Sequence, residues 1–281
     1  MDVIAGSASG LLAARLAVEL DSKVIPTETR RFPDGEAYVR VSEELAGREV
    51  VVVQGTWPDP HFVEALLLRD AVLELKPRRA AFVAPYFSYA RQDKRFSKGE
   101  ALSSVALGRV LAEGWDDFLT VDIHEPSLLP ALSPRAKNVS ALPEIANYLK
   151  TKSVELVVSP DEGSLERVRP VAQAIGVPFD HLVKTRIDGE RVEIAPKELD
   201  ARGKRVAIVD DIISTGGTIA AAAKALKDAK ASSVVAACTH GLYAGGALKK
   251  LHAVLDDLVS TDTVESATTR VSAAPAIARA L

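Results

Sequence analysis

The chain has 281 residues, 47% of them hydrophobic and 26% charged. That balance excludes a disordered or fibrous polymer and leaves room for two domains. A net charge of −3 gives no general basic field for nucleic acid, and no apolar run reaches the ~18 residues of a membrane span. "MDVIAGSASG" lacks the basic start and cleavable apolar stretch of a signal peptide, and the lone Cys238 excludes an internal disulfide. A cytoplasmic protein is expected, with no nucleic-acid or membrane partner and with Cys238 as a buried structural thiol.

Short β-branched runs alternate with longer helical patterns along the whole chain. Strands are expected at 3–6, 23–26, 38–41, 50–54, 80–84 and 118–122, and then at 154–159, 181–184, 191–194, 205–210 and 233–239. Between them lie helical stretches such as "GLLAARLAVEL", "HFVEALLLRDAVLEL", "LPEIANYLKT", "SLERVRPVAQAIG" and "TIAAAAKALKDAK". Strand–helix alternation with near-continuous Val/Ile runs predicts an α/β fold of mostly parallel sheets flanked by helices. The halves are alike in outline, "VVVVQGTWPDP" holding in the first the place of "VAIVDDIISTGG" in the second. A duplicated doubly wound unit follows, with domains 1–140 and 141–281 joined through the polar, proline-flanked "SPRAKNVSALP" (133–143).

The stretch "RVAIVDDIISTGGTI" (205–219) is the most informative. Its strand would deliver Asp210 and Asp211 to the C-terminal edge of a sheet, where open α/β folds bind ligands. Ser214, Thr215, Gly216, Gly217 and Thr218 would open the next helix, where converging N–H groups favour an anion. Neither the nucleoside-triphosphatase loop, which needs a lysine, nor the dinucleotide fingerprint G-x-G-x-x-G is present there. Two carboxylates beside an anion cradle suit a sugar phosphate, the acids accepting from hydroxyls and the loop holding the phosphate.

This loop resembles the phosphoribosyl-diphosphate motif of the type I phosphoribosyltransferase fold. Further segments occur in order: "RFPDGE" (31–36), "PYFSYARQDK" (85–94), "VDIHEP" (121–126), "SPDEGS" (159–164), "KTR" (184–186) and "THGLY" (239–243). Together they resemble, over essentially the whole chain, the ribose-phosphate diphosphokinase (phosphoribosyl diphosphate synthetase) family in a short, archaeal-like form. The resemblance implies two tandem phosphoribosyltransferase-like domains, the second carrying the ribose 5-phosphate loop. It also implies transfer of the diphosphoryl group of ATP to the anomeric hydroxyl of ribose 5-phosphate, with Mg²⁺ as cofactor. A base phosphoribosyltransferase or a non-catalytic, ligand-binding regulatory homologue would share the Asp–Asp loop. A base phosphoribosyltransferase would not need "YARQDK", "VDIHEP" or a duplicated domain. Loss of Lys184, Arg186 or Asp211 would favour the regulatory homologue, whereas all three are present.

By resemblance, Asp210, Asp211 and Ser214 to Thr218 bind ribose 5-phosphate. Lys184 and Arg186 are the catalytic cations of a hairpin that closes on the triphosphate. Arg91, Gln92, Asp93, His124 and His240 belong to the ATP side, and Phe32, Asp34 and Glu36 to adenine. His124 and Asp161 are the metal contacts. Because the "FPDGE" turn serves a neighbouring subunit in that family, a homo-oligomer is implied, with a dimer favoured for a chain this short. His61, His181 and His252 carry no such context and are read as structural. Gly163-Ser164 departs from the more usual Gly-Gly, and Thr185 stands between the two hairpin cations.

Overall fold

A computed structural model of the chain describes residues 1–186, 192–196 and 200–281, with backbone alone for 184–186 and 192–196. It divides into two compact units. The first contains residues 1–140, 262–265 and 272–281, and the second contains 141–261 and 266–271.

In the first unit the elements run β1 (Asp2–Ala5), α1 (Gly10–Glu19), β2 (Val24–Ile25), β3 (Thr27–Arg31), β4 (Ala37–Val41), β5 (Glu49–Val53) and α2 (Asp59–Glu74). They continue as β6 (Arg79–Ala84), α3 (Ser103–Ala112), β7 (Asp117–Val121), α4 (Leu129–Leu132) and β8 (Ala136–Val139). Six strands form one parallel sheet in the order β2-β1-β5-β6-β7-β8, and β3 and β4 form a separate antiparallel hairpin. Val50 to Val53 are all fully buried, as a central parallel strand covered on both faces requires. Ile4, Phe82, Trp115 and Phe118 belong to the core on one face, where the Phe82 ring stacks on both Trp115 and Phe118.

The second unit runs α5 (Leu142–Thr151), β9 (Leu156–Ser159), α6 (Leu165–Ile175), β10 (Phe179–Arg186), β11 (Val192–Pro196), β12 (Arg205–Ile213) and α7 (Gly217–Asp228). It ends with β13 (Ser233–Gly241), α8 (Ala247–His252), β14 (Asp257–Thr261) and β15 (Thr269–Val271). Its sheet has the order β11-β10-β9-β12-β13-β14-β15, parallel except where β11 joins β10. Strand alternation splits β12 between two cores: Val206 and Ile208 pack with Leu226 and Leu251, and Ala207 and Val209 with Val157 and Val168. Without β11, this order parallels that of the first sheet, with β12 in the place of β5, as expected for a duplicated unit.

Three features differ from the sequence expectations. The segment 133–143 is not a plain linker, because residues 136–139 form β8 and pair with β7. Val139 is buried there, and Asn138 accepts from the Ile123 N–H at 2.9 Å through its side chain. The strand expected at 23–26 is interrupted after Ile25, and the chain then turns into β3, the first arm of the hairpin. The last residues leave the second unit: α9 (Ala274–Ala278) packs on α1 in the first.

Asp262 anchors that return. Its fully buried carboxylate accepts from Arg15 at 2.8 Å, from the Ser272 hydroxyl at 2.7 Å and from the Ala273 N–H at 2.8 Å. A buried carboxylate needs such a set of donors to offset its lost hydration. Among the described residues no helix is long and apolar enough to cross a membrane. Asp262→Ala should lower unfolding free energy by about 3 kcal/mol, because it strands the Ala273 amide and removes the partner of Arg15. Urea unfolding checks this, and a loss below ~1 kcal/mol would remove Asp262 as the anchor of α9.

Candidate active site

In the second unit β12 lies between β9 and β13, with Ile208 opposite Val158 and Asp210 opposite Cys238. The strand continues past Asp210 to Ile213, since Ile212 and Ile213 still pair with His240 and Gly241. The two carboxylates therefore stand within the paired edge of the sheet. The Asp211 side chain is 4% exposed and the Asp210 side chain 17%. Arg167, from α6, donates to Asp211 Oδ1 at 2.9 Å and lies 3.8 Å from Asp210 Oδ1. The Asp211 N–H donates to Asp210 Oδ1 at 2.9 Å. Burial first, and then the charge of Asp211, push the Asp210 carboxyl well above the ordinary carboxylate range, and Arg167 opposes that rise.

The following loop is shaped by Gly216. Its φ of +69° is left-handed, and a Cβ there would stand 3.0 Å from Leu251, so glycine alone fits without strain. Gly216 is also the N-cap of α7, and no side chain caps the helix. Gly217 and Thr218 are exposed, so the first turn of α7 offers backbone N–H groups and a positive dipole end to solvent. Lys250 donates to the Thr215 carbonyl at 3.4 Å, adding an ammonium beside the loop. This arrangement suits an anion chemically, and the carboxylate pair on the adjoining strand is suited to accept from hydroxyls.

At the end of β9, Asp161 caps the short helical turn 162–164 by accepting from the Ser164 N–H at 3.0 Å. The Ser159 hydroxyl donates to the Asp161 carbonyl at 2.7 Å, which fixes the turn from the other side. Ser164 is itself buried, its Cβ accommodated where glycine is more usual. His240 is 2% exposed near the end of β13. Lys184 and Arg186 stand on the backbone of β10, which pairs antiparallel with β11, but their side chains lie outside the described residues.

In the first unit, Phe32, Asp34 and Glu36 occupy the loop between β3 and β4, and all three are exposed. The Phe32 N–H donates to the Glu36 carbonyl at 2.8 Å, and the Asp34 carboxylate accepts from the Glu36 N–H at 3.1 Å. The Arg30 guanidinium lies over both the Phe32 and Tyr38 rings, at 4.6 and 4.3 Å. Arg31 ties the loop down by donating to the carbonyls of Gly35 and Pro60. Arg91, Gln92 and Asp93 follow the end of β6 through a turn in which the Gln92 N–H donates to the Tyr89 carbonyl at 2.9 Å. Arg91 is exposed, whereas Gln92 is held by its own side-chain bond to the Lys94 carbonyl. His124 is half-buried just beyond β7, after Asp122, whose φ of +38° turns the chain sharply away from the sheet.

Each unit thus gathers its candidates at the C-terminal ends of its strands, apart from the β3–β4 loop. Among the described residues no group of three or more His, Cys, Asp or Glu side chains forms a metal cage. Arg167 escapes a reading of the sequence. The available signal was its place one turn into the helix that follows "SPDEGS", since helices after strand-end loops carry charge toward the ligand edge.

The chain is similar to known proteins along nearly its whole length. A family profile described as the N-terminal domain of ribose phosphate pyrophosphokinase matches residues 1–113, and one described as a phosphoribosyl transferase domain matches residues 137–272. The chain is 44% identical to a ribose-phosphate pyrophosphokinase of Methanopyrus kandleri, over 100% of this chain and 98% of that one. It is 40% identical to that of Methanothermobacter thermautotrophicus, over 98% of both. Among solved structures, phosphoribosylpyrophosphate synthetase from Mycobacterium smegmatis superposes with a TM-score of 0.86 at 28% identity, covering 99% of this chain and 96% of that one. A chain that carries both family domains in tandem, and aligns end to end with these relatives, belongs to the ribose-phosphate pyrophosphokinase family.

Proposed function

We propose that the chain transfers the β,γ-diphosphoryl group of ATP to the anomeric hydroxyl of ribose 5-phosphate, giving phosphoribosyl diphosphate and AMP. The observation that carries this reading is the carboxylate pair of Asp210 and Asp211 beside the uncapped start of α7, in a chain related over its full length to ribose-phosphate pyrophosphokinases. The sugar phosphate is held by its 5-phosphate at Ser214 to Thr218 and by its ring hydroxyls at Asp210 and Asp211. Its anomeric oxygen attacks the β-phosphorus of ATP. The bond from that phosphorus to the α-phosphate oxygen breaks, the electron pair leaves with AMP, and the hydroxyl proton passes to solvent.

Such a transfer asks the protein for alignment and charge neutralisation rather than for a nucleophile. Lys184 and Arg186 are assigned to the transferring phosphates and Arg91 to the nucleotide, where guanidinium groups form forked bonds to phosphate. Gln92, Asp93 and His240 complete the ATP side. Phe32 stacks on adenine, with Asp34 and Glu36 accepting from its amino group.

Mg²⁺ fits the donor set as an ion carried by the nucleotide. A carboxylate and an imidazole on strand-end turns suit a small cation that keeps waters and phosphate oxygens as its main ligands. His124 and Asp161 would hold it, and when bound it supplies positive charge to the phosphate oxygens. ATP as donor and a lone buried thiol accord with a cytoplasmic setting.

With ATP, Mg²⁺ and ribose 5-phosphate, phosphorus NMR should show AMP and phosphoribosyl diphosphate rising in equal amounts. Formation of ADP in place of AMP would contradict the proposal.

The exposed "FPDGE" loop is assigned to the site of a neighbouring subunit in a homo-oligomer, most simply a dimer. Phe32→Ala and Lys184→Ala variants should each be nearly inactive alone. After mixing and subunit exchange they should recover about a quarter of wild-type activity, since half of the dimers are mixed and each mixed dimer has one intact site. Mixtures no more active than their components would assign Phe32 and Lys184 to the same subunit's site.

A further inference from the structure

The carboxylate pair has a cation of its own that the binding scheme above leaves without a task. Arg167 lies in the first turns of α6 and contacts Asp211 at 2.9 Å and Asp210 at 3.8 Å, all within the second unit. It pairs with both acids at once, through Nη1. Two adjacent acids this poorly hydrated repel each other, and an unpaired pair would take up a proton or rotate apart. A guanidinium is always charged and presents its N–H groups in a fixed plane, so it holds a carboxylate at a set angle as well as compensating it. With one Asp211 oxygen engaged by Arg167, the carboxylate is fixed in rotation about its own axis.

The placement of Arg167 is itself determined by the loop before it. Asp161 caps the turn 162–164, and α6 begins directly at Leu165. The same turn that ends β9 therefore sets where the guanidinium meets β12.

We infer that Arg167 is a positioning residue that fixes the Asp210–Asp211 pair against the vicinal hydroxyls of the acceptor sugar, and so sets affinity and selectivity for a ribose over a deoxyribose phosphate. The inference rests on the acceptor half of the function proposed above. Arg167 is not itself placed on the substrate. Its effect passes through the two carboxylates, and therefore falls on the sugar hydroxyls and not on the nucleotide. A site built to bond a hydroxyl discriminates strongly against the analogue that lacks it, and that discrimination is lost when the bonding groups are free to turn.

The test compares wild type, Arg167→Ala and Arg167→Lys. Ribose 5-phosphate and 2-deoxyribose 5-phosphate are titrated calorimetrically without nucleotide, and thermal midpoints are recorded alongside. Wild type should bind the ribose compound at least tenfold more tightly than the deoxy compound. Arg167→Ala should weaken ribose 5-phosphate at least tenfold and bring the two affinities within about threefold of each other. Arg167→Lys, which keeps the charge but not the fork, should fall between them. In turnover, KM for ribose 5-phosphate should rise in Arg167→Ala while KM for ATP stays within twofold.

Unchanged selectivity in Arg167→Ala, or parallel losses for both sugars and for ATP, would overturn the inference and leave Arg167 a purely structural partner. Arg167→Lys gives the same decision if the alanine variant does not fold. Wild type that binds the sugar phosphate but releases no AMP would overturn the donor reaction alone, because the binding comparison does not depend on it. Wild type that does not bind the sugar phosphate would overturn both.

Discussion

Two adjacent carboxylates at the end of a buried strand impose the constraint around which the second unit is arranged. Asp211 is almost wholly removed from water and Asp210 largely so, and burial with mutual repulsion makes the pair costly to keep charged. A strand of four consecutive buried residues, Val206 to Val209, holds them at the sheet edge, and Arg167 supplies a compensating charge. A ligand with hydroxyl donors would add hydrogen bonds to carboxylates in a site this dry, where such bonds are strong. The adjoining start of α7 has the opposite need. Its N–H groups have no side-chain cap, so an anion there would complete the helix. The sugar phosphate proposed above would answer both demands with one molecule.

The same strand order is used in both units, but the chemistry is not. In the first unit the strand corresponding to β12 is β5, and it is followed by Gln54-Gly55-Thr56 rather than by acids. Gln54 there accepts from the Ala8 N–H, the Gly55 N–H donates to the Ser9 hydroxyl, and Thr56 bonds to Tyr86 and Ser88. In the first unit the polar groups at this position are satisfied internally. On the function proposed above, duplication would leave one copy free to carry donor-side residues such as Arg91 and His124 on its own strand-end loops, while the other keeps the acceptor loop.

Much of this was legible in the amino-acid sequence because it rests on local signals. Val/Ile runs specify buried parallel strands, and residues 142–151 form a helix with the bounds that their pattern predicts. The "DDIISTGG" turn identifies itself by composition, since few other ligands need acids, hydroxyls and glycines in that order. What stayed hidden depends on distant contacts. Arg167 lies 44 positions before Asp211, on a different element, and only the fold brings the two together. β8 is four residues long in a polar stretch between prolines, and only pairing with β7 makes it a strand. The return of α9 to the first unit depends on Asp262, a single buried acid whose partners Arg15 and Ser272 lie far apart in the chain.

On the proposed function, the Asp210–Asp211 pair and the start of α7 together form the acceptor site. A crystal structure of the protein soaked with ribose 5-phosphate is the decisive measurement. The phosphate should lie within hydrogen-bond distance of the backbone N–H groups of Gly216 to Thr218, and the ring hydroxyls against the carboxylates of Asp210 and Asp211. A sugar phosphate seated elsewhere, with this loop and both carboxylates untouched, would contradict it.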